Sequence, residues 1–175
     1  MWAFFLDFIS IFDMIFVYDY DESYKGDIMI YSELTKIAMN ICCEAHAGQY
    51  DKGGFPYMFH PLHIAEQMDT EYEICVALLH DVVEDTEYTL EDLRKKGMPE
   101  EVIEAVDCLT HRKDVPYLEY IKELKKNKLA AKVKLADLEH NSSLDRQPVM
   151  DEITIKRLEK YAKAKELLLE KQEDA

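Results

Sequence analysis

Residues Leu79-His80-Asp81-Val82-Val83-Glu84-Asp85-Thr86 place an imidazole and a carboxylate directly after the apolar run Ile74-Cys75-Val76-Ala77-Leu78-Leu79. A second acidic pair follows within one helical turn. Burying such groups is costly unless something pairs with them. A divalent metal is a suitable partner, because it accepts both imidazole nitrogen and carboxylate oxygen. At about 100° per residue, Asp81 and Asp85 share one helix face and His80 and Glu84 the neighbouring one. One helix therefore offers two metal ligands, His80 and Asp81, and then two carboxylates, Glu84 and Asp85, for water or proton handling. An isolated His-Asp pair is common and signifies little; the apolar run before it and the acidic pair after it set this one apart.

Two more segments put polar residues where an apolar face is expected. Tyr57-Met58-Phe59-His60-Pro61-Leu62 sets His60 among large apolar neighbours, and Val133-Lys134-Leu135-Ala136-Asp137-Leu138 sets Asp137 on an apolar turn with Asn141 one turn later. Alone, each has an ordinary structural explanation, as a core histidine or a helix cap. Together, His60, His80, Asp81 and Asp137 make a two-histidine, two-carboxylate set from three helices. That mix suits a first-row divalent ion that keeps positions open for water and substrate.

The elements that must carry these residues are helical from Tyr31 onward, with no sustained period-2 alternation. Ser32 caps a helix whose apolar face runs Leu34, Ile37, Ala38, Ile41, Ala45. Gly48 to Pro56 reads as a loop, and Pro61 suits the first turn of a short helix through Met68. The His-Asp helix is expected over Glu71 to Val83. Thr89-Leu90-Glu91-Asp92 resembles a capping box and opens a helix ending at Gly97. Further helices are expected from Pro99 to Leu109, from Pro116 to Lys126, from Leu129 to Leu144 and from Asp151 to Glu170. No repeat, low-complexity tract or dividing linker interrupts them, so the expectation is a single all-α domain.

The sequence has 175 residues, enough to bury a core without staples. With 21 basic against 36 acidic residues, a net charge of −15, a nucleic-acid backbone is not an expected partner. Cys42, Cys43, Cys75 and Cys108 lack CxxC spacing and lie in apolar helical contexts. They read as reduced thiols of a cytoplasmic protein.

Residues 1–28 are the odd part: Phe- and Ile-rich at first, interrupted by Asp7, Asp13 and Asp19. They lack the basic start and cleavage site of a secretory signal, are too interrupted for a membrane span, and lack the basic face of an interfacial helix. The reading favoured here is translated sequence upstream of a start at Met29. The domain is then 29–175, with 1–28 dispensable for fold and activity; no membrane association is expected.

The order His…His-Asp…Asp resembles the signature of HD-domain metal-dependent phosphohydrolases. The closer resemblance is to the hydrolase domain of the RelA/SpoT alarmone enzymes and their stand-alone small hydrolases. It covers roughly Leu34 to Arg146. It is carried by Ala45-His46-Ala47-Gly48-Gln49, by Lys52-Gly53-Gly54-Phe55-Pro56-Tyr57 leading to His60-Pro61, by Ala77 to Thr86, and by Val133 to Asp137.

The resemblance implies a helical HD bundle that removes the 3′-pyrophosphate of guanosine tetra- or pentaphosphate with Mn²⁺ or another first-row ion. It matches His60, His80, Asp81 and Asp137 to the metal ligands and Glu84 and Asp85 to the pair that positions and activates water. It matches Lys52 and Asn141 to substrate contacts, and His46 to a motif residue that is not a ligand. Lys134, Arg112, Lys113 and Arg146 are further candidates for offsetting the negative charge near an anionic substrate.

Two departures fall on the nucleotide side. Asp51 stands where the resemblance leads one to expect a base-facing cation, and Ser143 where an Arg usually follows the Asn. Three readings stay open: an alarmone hydrolase, an HD phosphohydrolase of another nucleotide or phosphodiester, and a metal-retaining regulatory module without turnover. With the sequence closing at Ala175, the synthetase domain of the long bifunctional relatives is not expected within it. Oligomeric state is not legible.

Overall fold

The computed structural model describes residues 30–143 and 149–170. Residues 1–28 and Arg146 lie outside them. Among the described residues the chain is helical, with one isolated bridge between Tyr50 and Pro56 and no strand. The helices are α1 (Glu33–Ala45), α2 (Phe59–Ala65), α3 (Glu71–Leu79), α4 (Val82–Asp85), α5 (Leu90–Lys95), α6 (Glu100–Leu109), α7 (Tyr117–Leu124), α8 (Lys128–Ser142) and α9 (Glu152–Leu169).

Short polar side chains start most of them. Ser32, Thr70, Thr89, Asn127 and Asp151 each accept from a backbone N–H in the first turn, satisfying donors the helix leaves open. At Thr89 the reciprocal bond comes from Asp92, whose Oδ2 accepts from Thr89 N at 3.0 Å, so the expected capping box forms with Asp as its acid.

Helix α3 is the centre of the domain. Its residues Ile74 to Leu79 are all fully buried, because α1, α2, α6 and α8 pack around it. A helix covered on every side must be apolar all round, which is why its sequence shows a run in place of a stripe. Helix α9 lies outside this shell, against α7 and α8.

The expected helix Glu71–Val83 is split. α3 ends at Leu79, and after His80 and Asp81 the chain makes the single turn α4. The cause is local: His80 Nδ1 lies 2.7 Å from the Ala77 carbonyl, the acceptor that an uninterrupted helix would give to the Asp81 N–H. The ring thus takes over a backbone position and leaves its Nε2 turned away from the helix. Removing Leu78, buried at the middle of this packing, is expected to be costly. Leu78→Ala should lower the unfolding free energy by about 2–5 kcal/mol in denaturant titrations; a loss below about 1 kcal/mol would show that α3 is not the structural centre.

Candidate metal centre and the adjoining cavity

Three helices deliver the polar donors to one place. α2 brings His60, the end of α3 brings His80 and Asp81, and α8 brings Asp137. His60, His80 and Asp137 are buried, each exposing 4% or less, and their ligand atoms lie within 4.8 Å of one another. His60 Nε2 is 3.2 Å from Asp137 Oδ1 and 3.7 Å from Asp81 Oδ2. His80 Nε2 is 3.0 Å from Asp81 Oδ2 and 3.9 Å from Asp137 Oδ1. Donors held about 2.1 Å from one octahedral ion stand about 3.0 Å apart in cis and about 4.2 Å apart in trans, so the His60, His80 and Asp137 atoms fit a shared divalent ion, with Asp81 Oδ2 beside both imidazoles. His80 Nε2 is buried without a hydrogen-bond partner, as a ligand nitrogen should be.

Neighbours also bond these donors, at their ligand atoms as well as at their outer ones. Tyr57 donates its hydroxyl to Asp81 Oδ2 at 2.5 Å. Lys134 Nζ donates to Asp137 Oδ2 at 2.8 Å, and Asn141 Nδ2 to Asp137 Oδ1 at 2.5 Å. The Nδ1 atoms of His60 and His140 meet at 2.7 Å with their rings stacked, so one ring donates to the other there. Such contacts orient metal ligands and fix their tautomers.

Electrostatics agree with a cation site. Burial alone would raise both carboxyls, but His80 beside Asp81 and Lys134 beside Asp137 hold them well below the usual carboxylate range. Burial pulls His60 down, keeping it neutral, the form that ligates a metal. His80, which burial would also lower, is lifted to about 9 by the adjoining Asp81 carboxylate. The acidic pair behaves in the opposite way to the ligands. Burial raises Glu84, opposed by the His111 N–H that donates to its Oε2 at 2.8 Å. Burial, then the Asp81 charge, raises Asp85.

Lys52 and Asn141, brought from the 46–58 loop and α8, line one cavity of about 310 Å³ with Tyr50, Asp51, Gly53, Tyr57, Arg157 and Tyr161. The cavity adjoins the donors, because Tyr57 and Asn141 line it while bonding Asp81 and Asp137. Asp51 lines it too, but its Oδ1 also accepts from Gly53 N at 2.8 Å and Phe55 N at 3.0 Å, closing the loop. Lys134 sits at the donors, whereas Arg112 and Lys113 are surface residues. Arg157 and Tyr161 went unread in the sequence: they lie on α9, beyond the motif segments. The Tyr57 hydroxyl and His140 lay inside or beside the motifs, but residue type alone assigned them no partner.

No family model matches the chain. It is 35% identical over 136 residues to a GTP pyrophosphokinase of Streptomyces coelicolor, covering 70% of this chain and 15% of that protein. It is 43% identical over 60 residues to a guanosine-3′,5′-bis(diphosphate) 3′-pyrophosphohydrolase of Haemophilus influenzae, covering 32% of this chain and 9% of that protein. The chain is homologous to RelA/SpoT-type proteins. It spans only a small share of the length of these curated relatives. A solved metazoan SpoT orthologue, described as hydrolysing ppGpp and acting in starvation responses, has the same fold: TM-score 0.65, 24% identity, 81% of this chain and 89% of that one. The shared fold covers 81% of this chain and agrees with the expected all-α HD-type bundle.

The geometry makes the donors interdependent. His80→Ala or Asp81→Ala should abolish retention of a divalent ion in purified protein, and Asn141→Ala should weaken it by about 10–100-fold. Undiminished metal content in His80→Ala, measured by elemental analysis, would contradict the shared site.

Proposed function

We propose that the chain is a metal-dependent phosphohydrolase that removes the 3′-pyrophosphate of guanosine tetra- or pentaphosphate, using Mn²⁺, in the cytoplasm. The observation that carries this reading is the cluster of His60, His80 and Asp137, with Asp81 beside both imidazoles, next to a cavity lined by Lys52, Asn141 and Arg157, in a homologue of RelA/SpoT-type proteins. His60, His80, Asp81 and Asp137 would hold the ion. Bound there, it supplies Lewis-acid chemistry, lowering the pKa of water and offsetting phosphate charge.

The chain's own residues do the rest. Lys52 and Arg157 offer positive charge to the phosphates, which the net charge of −15 would otherwise repel. Asn141 faces the substrate while holding Asp137. Glu84, whose carboxyl is raised, takes or gives a proton at the attacking water or the leaving oxygen, with His111 N–H fixing its orientation. Asp85 stands beside it as the second carboxylate. A second reading, hydrolysis of another nucleotide, is favoured by Asp51, a carboxylate on the cavity wall.

A hydrolysis screen with Mn²⁺ over guanosine tetraphosphate, NADPH, simple nucleotides and cyclic dinucleotides separates the two. Guanosine tetraphosphate should be cleaved at the 3′-pyrophosphate, chelation should stop it, and Glu84→Gln should keep the metal while losing about 10²-fold in kcat. Cleavage of a simple nucleotide with none of the alarmone would replace the first reading by the second. Wild-type turnover in Glu84→Gln would remove Glu84 from the chemistry.

A further inference from the structure

Glu84 and Asp85 sit on α4, a single turn that does not hold its own shape, since one turn fixes several residues for little hydrogen bonding in return. Its orientation is set by what it touches. Val82 is fully buried, Thr86 Oγ1 donates to the Val82 carbonyl at 2.6 Å, and the His111 N–H holds the Glu84 carboxylate. At Asp85 the tie comes from another element: Gln49 Nε2 donates to the Asp85 carbonyl at 3.2 Å.

The sequence around Gln49 sets up that reach. Gly48, at φ +76°, turns the chain after α1 through the left-handed region that favours glycine. A carbonyl only accepts, so the Gln49 amide presents its nitrogen to Asp85 and its oxygen to His46, whose Nδ1 is 2.8 Å away. His46 exposes only 3% of its surface, and its ring lies 4.8 Å from the Tyr57 ring. A planar amide bonded at both ends is held in one orientation, here anchored on a buried ring.

The loop over 46–58 closes by other bonds. Asp51 N donates to the Phe55 carbonyl at 2.8 Å, Asp51 Oδ1 accepts from Gly53 N and Phe55 N, and Tyr57 N donates to the Gln49 carbonyl at 3.0 Å. The backbone of Gln49 thus belongs to the loop, while its side chain leaves the loop and ends on the acidic turn. The next four residues, Tyr50 to Gly53, line the cavity, and Tyr57 bonds Asp81. Cavity wall, metal centre and acidic pair therefore meet at this one residue.

We propose that Gln49 is the positioning residue of the acidic pair: its amide, anchored on His46, fixes α4 against the loop that forms the cavity wall. Glu84 and Asp85 are thereby held in register with a substrate lying on that wall. This rests on the hydrolytic reading above. As a positioning residue, Gln49 touches neither water nor phosphate. Its loss leaves the ion and the cavity side chains in place and loosens the acidic turn alone.

Two near-isosteres test this in the full chain. Gln49→Met removes both side-chain bonds without adding charge. Gln49→Glu keeps an acceptor for His46 Nδ1 but has no donor for the Asp85 carbonyl. Both should lose about 10²-fold in kcat towards guanosine tetraphosphate, as expected for misplaced reacting groups. KM in Gln49→Met, and Mn²⁺ content and thermal midpoint in both, should stay near those of the unaltered protein. Unchanged kcat in Gln49→Met would overturn the proposal, and so would unchanged kcat in Gln49→Glu, which would leave the His46 bond as the one that matters. A loss of kcat in Gln49→Met together with a raised KM and a lowered thermal midpoint would also overturn it, marking a brace of the whole loop. Amide hydrogen exchange in Mn²⁺-loaded protein gives a readout independent of turnover. In Gln49→Met, exchange across residues 82–88 should quicken by about 2–10-fold, the effect of one lost hydrogen bond, with α1 and α3 unchanged. Unaltered exchange across 82–88 would overturn the tie even in an active enzyme. The expected exchange in a protein that hydrolyses no nucleotide would support the tie and count against the hydrolytic reading alone.

Discussion

Two imidazoles and two carboxylates meet at one point of the fold, with His60, His80 and Asp137 buried and Asp81 half-buried, and they constrain everything packed around them. Asp81 and Asp137 are kept ionised away from bulk water by His80 and Lys134, and Tyr57 and Asn141 hold further lone pairs. Such a group of charges is tolerated only when nearly every polar atom has a partner. The fold meets that condition by convergence. From Ile74 to Leu79, α3 runs through the centre as an apolar rod and turns polar again at His80 and Asp81, where α2 and α8 arrive with His60 and Asp137. A divalent ion among the donors would join the four ligand atoms in one bonded unit, so metal affinity and folding free energy are coupled here.

The same bonds attach the cavity to the metal centre. Tyr57 and Asn141 each have one side toward the cavity and one toward a carboxylate ligand, so a ligand filling the cavity presses on the residues that orient the donors. This also bears on how a chain of net charge −15 could accept the proposed polyanionic substrate. Lys52 and Arg157 lie on the cavity wall, and Lys134 neutralises Asp137. Asp51, on the same wall, has its Oδ1 bound by two loop N–H groups, so its negative charge is partly spent on closing that loop.

Much of this was legible in the residues, for physical reasons that differ from part to part. Capping side chains at Ser32 and Thr89 mark helix starts because the first-turn N–H groups need local acceptors, and local chemistry is written locally. His60, His80, Asp81 and Asp137 stood out because each interrupts an apolar pattern, and the structure brings all four together. The break after Leu79 was not legible: helical spacing predicts continuation to Val83, and the His80 side chain competing for the Ala77 carbonyl is invisible to periodicity. Arg157 and Tyr161 were missed because α9 reads as one more amphipathic helix, and nothing in a helical period says which loop its face will meet. Lys52 and Asn141 were paired by resemblance, and their meeting on one cavity wall is a long-range consequence of how α8 packs beside the loop.

The claim on which this account rests is that the four donors bind one ion. Anomalous diffraction at the manganese edge, from crystals of the full chain grown with Mn²⁺, tests it most directly. The account predicts a single strong peak bonded to His60 Nε2, His80 Nε2, Asp81 Oδ2 and Asp137 Oδ1, each at about 2.0–2.3 Å. A peak elsewhere, or none among these four side chains at saturating Mn²⁺, would contradict it.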